Sequence, residues 1–393
     1  MSDSIKTRAD ELASTIVSWR RDLHQQPELG FEEVNTAAYV KERLDALDLE
    51  VHTGIAETGM AAILRAKNPE GPGVLLRADM DALPVTETPG REYGSRTEGR
   101  MHACGHDGHM SMLLGAATIL SERRDELRRD VLFCFQPGEE GYGGGEKMIQ
   151  QGVLDLIKIG SVFALHLWSP FAAGTVHVRS GPIMAAQDSF VARILGTGGH
   201  AATPHVTRDP IVAAAYAVTA LQTIVSRNVD PIDPAVVSIG SLHAGTVSNI
   251  IPAEAILEGT LRSFAEGVRE LLKKRAAEVI EYAARANGCR SEFTLKSGYP
   301  ATVNDAGAVE TVRRVAAPVF GAENVIEPRP MAPAEDFSYF LQERPGAFIL
   351  VGAGNKERGI TAPHHSSEFD IDESVLPRGA ELLTRLALDV GEV

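Results

Sequence analysis

Side chains that can bind metal ions or transfer protons stand directly after several short apolar segments of this sequence. Such groups occur in MHACGHDGH (101–109), in QPGEEGYGGGE (136–146), at the histidine that follows residues 162–165 and in APHHSSEFD (362–370). A thiol, imidazoles and a carboxylate are good ligands for zinc and for manganese-like divalent ions. The candidate ligands in these segments are Cys104, His106, Glu140, His166 and His365. Their residue types predict a metal centre.

Two adjacent acids, Glu139 and Glu140, indicate how such a centre would work. Paired acids are common on solvated surfaces, but this pair follows an apolar strand-like segment and precedes glycine-rich backbone. A metal ion can hold one carboxylate while the other accepts a proton from a water molecule. The pair therefore favours hydrolysis by an activated water molecule.

The thiols allow other interpretations on the sequence alone. Cys104 could be core packing, or a nucleophile with His106 as its base. Neighbouring residues on one turn rarely align in that way, so a thiol hydrolase is the less favoured hypothesis. Cys134 lies in the apolar segment VLFCF and is expected to be inert core, and Cys289 after a long helical segment is expected to be structural.

Alternating strand-like and helical segments must position these side chains. Strands are expected at 61–64, 74–76, 131–135 and 162–167, and MSMLLGAATIL (110–120) has the composition of a buried helix. Helical spacing is also present over 4–23 and 32–47. This alternation predicts an α/β fold with a largely parallel sheet that helices cover on both faces. In such sheets ligands bind beyond the carboxyl ends of the strands, where the candidate residues stand.

The middle of the chain follows a different pattern. Strands expected at 189–195, 236–242, 255–261 and 293–296 surround helices expected at 210–225 and 268–287. This strand–helix–strand–strand–helix–strand order is the split βαβ arrangement of a small α+β domain. From residue 305 the first pattern resumes, with helices from 305, 335 and 377 and a strand at 348–351. We therefore expect a discontinuous catalytic domain (1–184 and 299–393) that an inserted domain (185–298) interrupts.

Length and charge restrict the class of protein. The 393 residues exceed the roughly 250–300 at which single cores stop growing, which agrees with two domains. The net charge of -15 argues against a nucleic-acid partner. No apolar run reaches the roughly 18 residues of a membrane span, and the first residues lack the apolar stretch of a signal peptide, so a cytoplasmic location is expected. Three cysteines are too few for a disulfide framework.

Most of the remaining histidines are expected to have no catalytic role. His52 and His177 lie in partly polar, strand-like segments, which favours surface positions. His102 and His109 flank the candidate ligands and are expected to support them or the fold rather than to bind metal.

Taken together, the motifs resemble those of the M20 metallopeptidases. The segments occur in the order expected of that family: RADMDALPV, MHACGHDGHM, FQPGEEGYGGGEKM, ALHLW, GTGGHAATPH, SNIIP, GTLRSF and AEDFSYF. They are similar in particular to the aminoacylase and hippurate-hydrolase branch, which includes the auxin-conjugate hydrolases of plants. The resemblance extends from about His24 to Pro377. It implies a zinc-peptidase-like catalytic domain and an inserted domain through which subunits dimerise.

The resemblance also implies two divalent metal ions per subunit, with zinc, manganese, cobalt and nickel as candidates. Cys104 resembles the ligand that bridges the two ions, and Glu139 resembles the general base and acid. The remaining ligands implied are His106, Glu140, His166 and His365.

Two departures from the family pattern affect this ligand set. The wider family has a metal-binding His-x-Asp motif where this sequence has DMD (79–81), so His106 is expected to supply the missing imidazole. Asp81 would then orient a ligand and support catalysis from outside the metal shell. The branch has a single histidine before Ser-Pro near its end, whereas this sequence has HHSS (364–367). Counting back from the following Phe-Asp favours His365 over His364.

In the inserted domain, the resemblance assigns three further residues. His200 would polarise the scissile carbonyl from the partner subunit, and Asn249 and Arg262 match positions that hold the substrate carboxylate. We therefore expect a metal-dependent amidohydrolase, a homodimer or tetramer, that releases an amino acid from an N-acyl amino acid. A dipeptidase or carboxypeptidase-like hydrolase with the same site is the close alternative. A binding or regulatory protein on this scaffold would be expected to lack Glu139 or the ligands, which are all present.

Overall fold

The computed structural model describes residues 4–389, and the chain divides into two compact units. The first unit comprises the chain up to Ile183, Val303–Arg329 and the chain from Asp336 on. The second comprises Met184–Thr302 and Pro330–Glu335. The sequence assigned residues 184, 299–302 and 330–335 to the catalytic domain, whereas their contacts group them with the second unit.

An eight-stranded mixed sheet forms the centre of the first unit, in the order β1-β2-β4-β3-β5-β16-β6-β15. Strands β3, β4, β5 and β16 pair in parallel, and β1 and β2 extend the sheet as an antiparallel ribbon. The fold is therefore the expected α/β fold with a mostly parallel core sheet. The strands are β1 (Glu50–Ile55), β2 (Gly59–Leu64), β3 (Gly73–Asp79), β4 (Val131–Gln136), β5 (Ile159–Ala172), β6 (Val176–His177), β15 (Val325–Ile326) and β16 (Gly346–Gly354).

Every residue of β3, β4 and β16 is buried, which is why these segments read as continuous apolar runs rather than alternating patterns. The helices of this unit are α1 (Ser4–Glu11), α2 (Ala13–His24), α3 (Val34–Asp45), α4 (His106–Glu122), α5 (Gly144–Gln150), α8 (Ala306–Phe320), α9 (Ser338–Glu343) and α10 (Leu376–Asp389). Helix α4 packs closely on α2 and α10, because a Cβ at Gly115 would lie 2.8 Å from Ile16 and 3.0 Å from Ala380. This packing fixes the start of α4, where His106 lies.

The second unit contains a four-stranded antiparallel sheet in the order β10-β12-β8-β13 and two long helices. Its strands alternate buried and exposed residues along β8 and β12, which is typical of a sheet with one face on a core. Asp209 caps the first helix by accepting from the Ile211 N–H, and Pro210 occupies the first turn. The elements are β8 (Ala186–Leu195), β9 (Gly199–His200), α6 (Pro210–Asn228), β10 (Ala235–Ala244), β11 (Ile250–Ile251), β12 (Glu254–Ser263), α7 (Glu266–Ala286) and β13 (Arg290–Ser297). Two short strands, β7 (Gly181–Met184) and β14 (Thr302–Asn304), lie where the chain passes between the units.

Some local expectations were wrong. The helical segment over 4–23 is divided at Leu12, and the helix expected from residue 335 begins only at Ser338. His177 is not at the surface: it is 7% exposed, and its ring stacks on Phe171 at 3.8 Å. Cys134 is fully buried in β4, as its apolar surroundings predicted. Within residues 4–389, no helix is long and apolar enough to cross a membrane.

Candidate metal centre

The candidate ligands of the first unit come from the ends and loops of its buried strands. Glu139 and Glu140 follow β4, and His166 lies within β5, which continues past it to Ala172. Cys104 and His106 flank Gly105, whose φ of +92° makes the turn that opens α4. His365 lies in the loop between β16 and α10.

Cys104 and His166 face each other with atoms that both prefer a cation. The Cys104 Sγ lies 3.6 Å from the His166 Nε2, and both residues are buried. His166 donates from Nδ1 to the Leu167 carbonyl at 2.8 Å, so in the neutral ring Nε2 carries a lone pair. Burial holds the pKa of His166 well below its usual value, and His109 lowers it further, so the ring is neutral. A metal ion would satisfy both facing atoms.

His106 presents a buried ring nitrogen that makes no hydrogen bond. It donates from Nδ1 to the Asp81 carbonyl at 2.8 Å, whereas its Nε2 is buried and makes no hydrogen bond. Burial disfavours the charged ring, but Asp79 and Asp81 outweigh that effect and raise the pKa of His106 to about 10. A bound cation would take the place of the Nε2 proton and would neutralise the same negative charge.

Glu140 and His365 also lie near Cys104. The Glu140 Oε1 lies 3.2 Å from the His365 Nε2 and 4.0 Å from the His106 Nε2. The Glu140 N–H donates to the Asp81 Oδ2 at 2.9 Å, so Asp81 holds the backbone of Glu140 as well as the ring of His106. Asp81 thus contacts two candidate ligands, which is the position expected of an orienting residue.

The neighbouring histidine, His364, is engaged elsewhere. Its Nε2 donates to the Leu167 carbonyl at 2.9 Å, and its Nδ1 lies 3.4 Å from the Ser169 Oγ. His365 instead adopts a left-handed backbone (φ +64°) and donates its N–H to the Ala103 carbonyl at 2.8 Å, next to Cys104. This geometry favours His365 as the ligand.

Among the five candidate ligands, two close groups of donor atoms share one residue, and His106 also lies close to Glu139 and Glu140. Atoms of Cys104, His106 and His166 lie within 4.8 Å of one another, and so do atoms of Cys104, Glu140 and His365. Because soft thiolate, imidazole and carboxylate donors suit zinc and similar divalent ions, the residues present fit a metal centre. The shared thiol is placed where one side chain could reach two ions.

Glu139 lies beside these groups and is 7% exposed. Its Oε1 accepts from the Asp336 N–H at 3.4 Å, and the Asp336 side chain accepts from the Gly145 N–H at 2.8 Å. A carboxylate in this position is held by backbone near the candidate ligands rather than exposed on the surface. A carboxylate near the candidate ligands is a candidate proton acceptor.

The thiol-nucleophile hypothesis finds little support in the surroundings of Cys104. Burial raises the pKa of Cys104 well above its usual value, and Glu140 and Glu139 raise it further. A nucleophilic cysteine needs a lowered pKa, which a cationic histidine or a helix N-terminus usually provides. A bound cation reverses this balance, since metal coordination deprotonates a thiol.

Sequence reasoning missed some of the contacts that support His166. His109 donates from Nδ1 to the Asp79 Oδ1 at 2.6 Å and accepts from the Leu167 N–H at 2.9 Å. Asp79 in turn accepts from the buried Arg77 at 2.7 Å. The sequence indicated a supporting role for His109. It did not predict that Asp79, which lies in the DMD segment, is the hydrogen-bond partner of His109. These bonds hold Leu167, the residue whose carbonyl sets the tautomer of His166.

The remaining candidates, His200, Asn249 and Arg262, lie in the second unit. His200 is exposed on β9, opposite Ile250, and its Nδ1 accepts from the Ala202 N–H at 3.0 Å. The neutral ring therefore carries its proton on Nε2, where it can donate. Asn249 is exposed and its carbonyl accepts from the Ala201 N–H at 3.0 Å, which brings it next to the His200 loop.

Arg262 lies on β12 and is half-buried. It donates to the Leu261 carbonyl at 3.0 Å and to the Thr260 hydroxyl, and among residues 4–389 no carboxylate forms an ion pair with it. Burial lowers its pKa, and Asp188 only partly opposes this. A guanidinium without an acidic partner is able to receive a carboxylate from a ligand.

Comparisons with known proteins agree over nearly the whole chain. A sequence model of peptidase family M20/M25/M40 matches residues 75–389. The thermostable carboxypeptidase 2 of Saccharolobus solfataricus is 39% identical over 391 residues, which covers 98% of each protein. An N-acyl-L-amino acid amidohydrolase of Geobacillus stearothermophilus is 43% identical over 303 residues, 77% of this chain and 81% of the relative. The crystal structure of a dinuclear metal-binding M20 peptidase from Bacillus subtilis has a TM-score of 0.84 and 31% identity, and the match covers 96% of this chain and 98% of that one.

Proposed function

The chain belongs to peptidase family M20/M25/M40, and we propose that it hydrolyses the amide bond of N-acyl amino acids. It is a metal-dependent hydrolase of amide bonds, like its relatives. The proposal adds the substrate class: N-acetyl, N-benzoyl or similar derivatives, from which a carboxylate and a free amino acid are released.

The observation that carries the proposal is the pair of donor groups that share Cys104, with Glu139 beside them. We propose that two divalent ions would be held by Cys104 together with the other ligands. Zinc and manganese are the ions we expect first, with cobalt and nickel as alternatives. The other ligands proposed are His106, Glu140, His166 and His365.

The bound ions would supply Lewis acidity that lowers the pKa of a water molecule and polarises the amide carbonyl. In this proposal Glu139 accepts the proton of the attacking water and then delivers it to the leaving nitrogen, because an amine leaves readily only when protonated. Asp81 fixes His106 and the backbone of Glu140 during both steps. His200 donates from Nε2 to the oxygen on which charge develops, and Asn249 and Arg262 hold the substrate carboxylate.

A homodimer is part of the proposal, and it is supported by apolar surface on the second unit. Helix α6 exposes Ile211, Val212 and Tyr216, of which Tyr216 is 62% exposed. Strand β10 is an edge strand, and its Val236 and Leu242 are also exposed. Exposed apolar patches and open strand edges are features of protein interfaces. We propose that this surface pairs with a second copy and that His200 acts on the partner's metal centre.

A hydrolysis screen tests the substrate class. The purified protein is loaded separately with Zn²⁺, Mn²⁺, Co²⁺ and Ni²⁺, and release of the amino acid is followed from N-acetyl, N-benzoyl and indole-acyl substrates and from dipeptides. We expect the N-acyl amino acids to have the highest kcat/KM. If every metal form hydrolyses dipeptides faster, the peptidase alternative replaces the proposed substrate class. If the protein is a tetramer in solution, the proposed dimer is part of that tetramer. The cytoplasmic location remains a prediction from composition.

A further inference from the structure

Glu33 is a fully buried acid whose side chain reaches the loop that carries the proposed general base. It precedes α3, and its residue is 0% exposed. The Glu33 Oε1 accepts from the Gly138 N–H at 2.9 Å, and its Oε2 accepts from the Thr58 Oγ1 at 2.6 Å. Gly138 is the residue directly before Glu139. A side chain far away in sequence therefore holds the backbone next to Glu139.

The loop from 138 to 144 needs such an anchor because its backbone is unusual. Gly138 has a φ of +59°, and its carbonyl accepts from the Gly144 N–H at 3.0 Å. A Cβ at Gly144 would lie 1.6 Å from the Pro137 carbonyl oxygen, so the loop closes tightly on its own start. A loop that reverses within so few residues transmits any shift of Gly138 directly to Glu139.

Two buried acids hold the backbone before and after Glu139. Glu33 accepts from the Gly138 N–H before it, and Asp81 accepts from the Glu140 N–H after it. Asp81 also contacts His106 and so acts on a proposed metal ligand, whereas the side-chain hydrogen bonds of Glu33 go to Thr58 and Gly138. The two anchors therefore have different roles, since Asp81 holds the ligands and Glu33 holds the base.

Resting on the proposed function, we infer that Glu33 is a positioning residue that fixes Glu139 for proton transfer through the Gly138 backbone. Burial of a carboxyl group costs free energy, and here burial raises the pKa of Glu33 to about 7 although the bonds from Thr58 and Gly138 oppose the rise. An apolar side chain would avoid this cost, so what Glu33 contributes is its two hydrogen bonds.

The test compares Glu33→Ala and Glu33→Gln with a matched control at the same helix. Glu28 also binds the start of α3, where it accepts from the Asn35 and Thr36 N–H groups, but it does not reach Gly138. For the metal-loaded enzyme acting on an N-acyl amino acid, we expect Glu33→Ala to lower kcat by roughly 10- to 100-fold with little change in KM. Glu33→Gln should recover part of kcat, since its amide oxygen can still accept from Gly138. Glu28→Ala should retain the wild-type kcat, and all variants should keep the wild-type metal content by elemental analysis.

Hydrogen exchange measured by mass spectrometry supplies a readout that does not depend on activity. The peptide that contains Gly138 should exchange faster in Glu33→Ala than in the wild type, and no faster in Glu28→Ala. If Glu33→Ala does not fold, Glu33→Gln carries the test, with a smaller loss of kcat and faster exchange expected. A wild-type kcat in the folded Glu33 variants, or an equal loss in Glu28→Ala, would overturn the positioning role alone. A wild-type protein that hydrolyses no N-acyl amino acid would overturn the proposed function and the positioning role with it.

Discussion

In the first unit most candidate functional side chains are buried and held, although His365 is exposed, whereas in the second unit His200 and Asn249 are exposed and Arg262 is half-buried. Cys104, His106 and His166 are at most 8% exposed, and hydrogen bonds to neighbouring backbone carbonyls fix both imidazoles. His200 and Asn249 lie on an exposed loop and strand end, joined by a short two-stranded ladder. The difference matches the two proposed roles, because donors for a metal must be fixed in advance, while groups that receive a substrate must remain accessible.

Because the two groups of residues differ in burial, substitutions in the metal centre and in the His200 loop should cause different kinds of defect. A substitution in the buried centre removes either a metal ligand or the proton acceptor. Loss of a ligand should lower metal content, and loss of the proton acceptor should lower kcat at normal metal content. A substitution in the exposed loop should leave metal content unchanged and act only on substrate. Measurements of activity and metal content on the same variants can therefore confirm or reject this separation.

The largest effect is expected at the acid pair. Glu139→Gln keeps the size of the side chain and removes the proton acceptor, a role worth ~10²–10⁴-fold in rate. We expect activity to fall by that factor while elemental analysis finds nearly the wild-type metal content. Glu140→Gln is the matched control, and it should lower metal content because a negatively charged ligand is lost. Retention of more than about a tenth of the activity by Glu139→Gln, or equal metal loss from both changes, would reject this division of the pair.

Metal loss is the expected consequence at Cys104. Serine is rarely deprotonated enough to bridge cations, so Cys104→Ser should bind metal more weakly and lose activity as a result. A chelator should likewise abolish wild-type activity, and added Mn²⁺ or Zn²⁺ should restore it. A thiol nucleophile predicts the opposite pattern, in which Cys104→Ser is inactive with full metal content and the chelator has no effect.

Mixed dimers test whether the exposed loop serves a partner. Inactive Glu139→Gln and His200→Ala homodimers are dissociated and reassociated in equal amounts, which makes about half of the dimers mixed. In a mixed dimer, the His200→Ala chain has its own Glu139 and receives an intact His200 from its partner. About a quarter of all sites should then be active. If subunit exchange is shown by mass tags and no activity returns, His200 does not act across the interface.

The sequence could predict those features of the molecule that depend on short segments of the chain. The residues of each motif are adjacent in sequence, and several motifs directly follow an apolar strand, so the α/β fold could be predicted and the candidate ligands could be proposed. The anchors could not, because they are long-range contacts: Glu33 and Gly138 are 105 residues apart. Glu33 carried only a weak signal, an acid at the start of an amphipathic helix. The pairing of Asp79 with His109 likewise became visible only when β3 and α4 were brought together.

The smallest predicted effect compares one buried thiol in each unit. Cys134 lies in the centre of β4, and its Sγ contacts the Met148 Sδ at 3.7 Å, a weak acceptor. A serine hydroxyl there would be buried without a good partner, so Cys134→Ser should lower the free energy of unfolding by about 1–3 kcal/mol. In the second unit, the Cys289 Sγ already faces the Asn287 carbonyl at 3.7 Å, and a serine there can donate to that oxygen. We expect Cys289→Ser to cost less than Cys134→Ser in denaturant titrations, with metal content and kcat unchanged in both. A selective loss of metal from Cys134→Ser would show that packing within β4 affects metal binding, in addition to the loop that follows this strand.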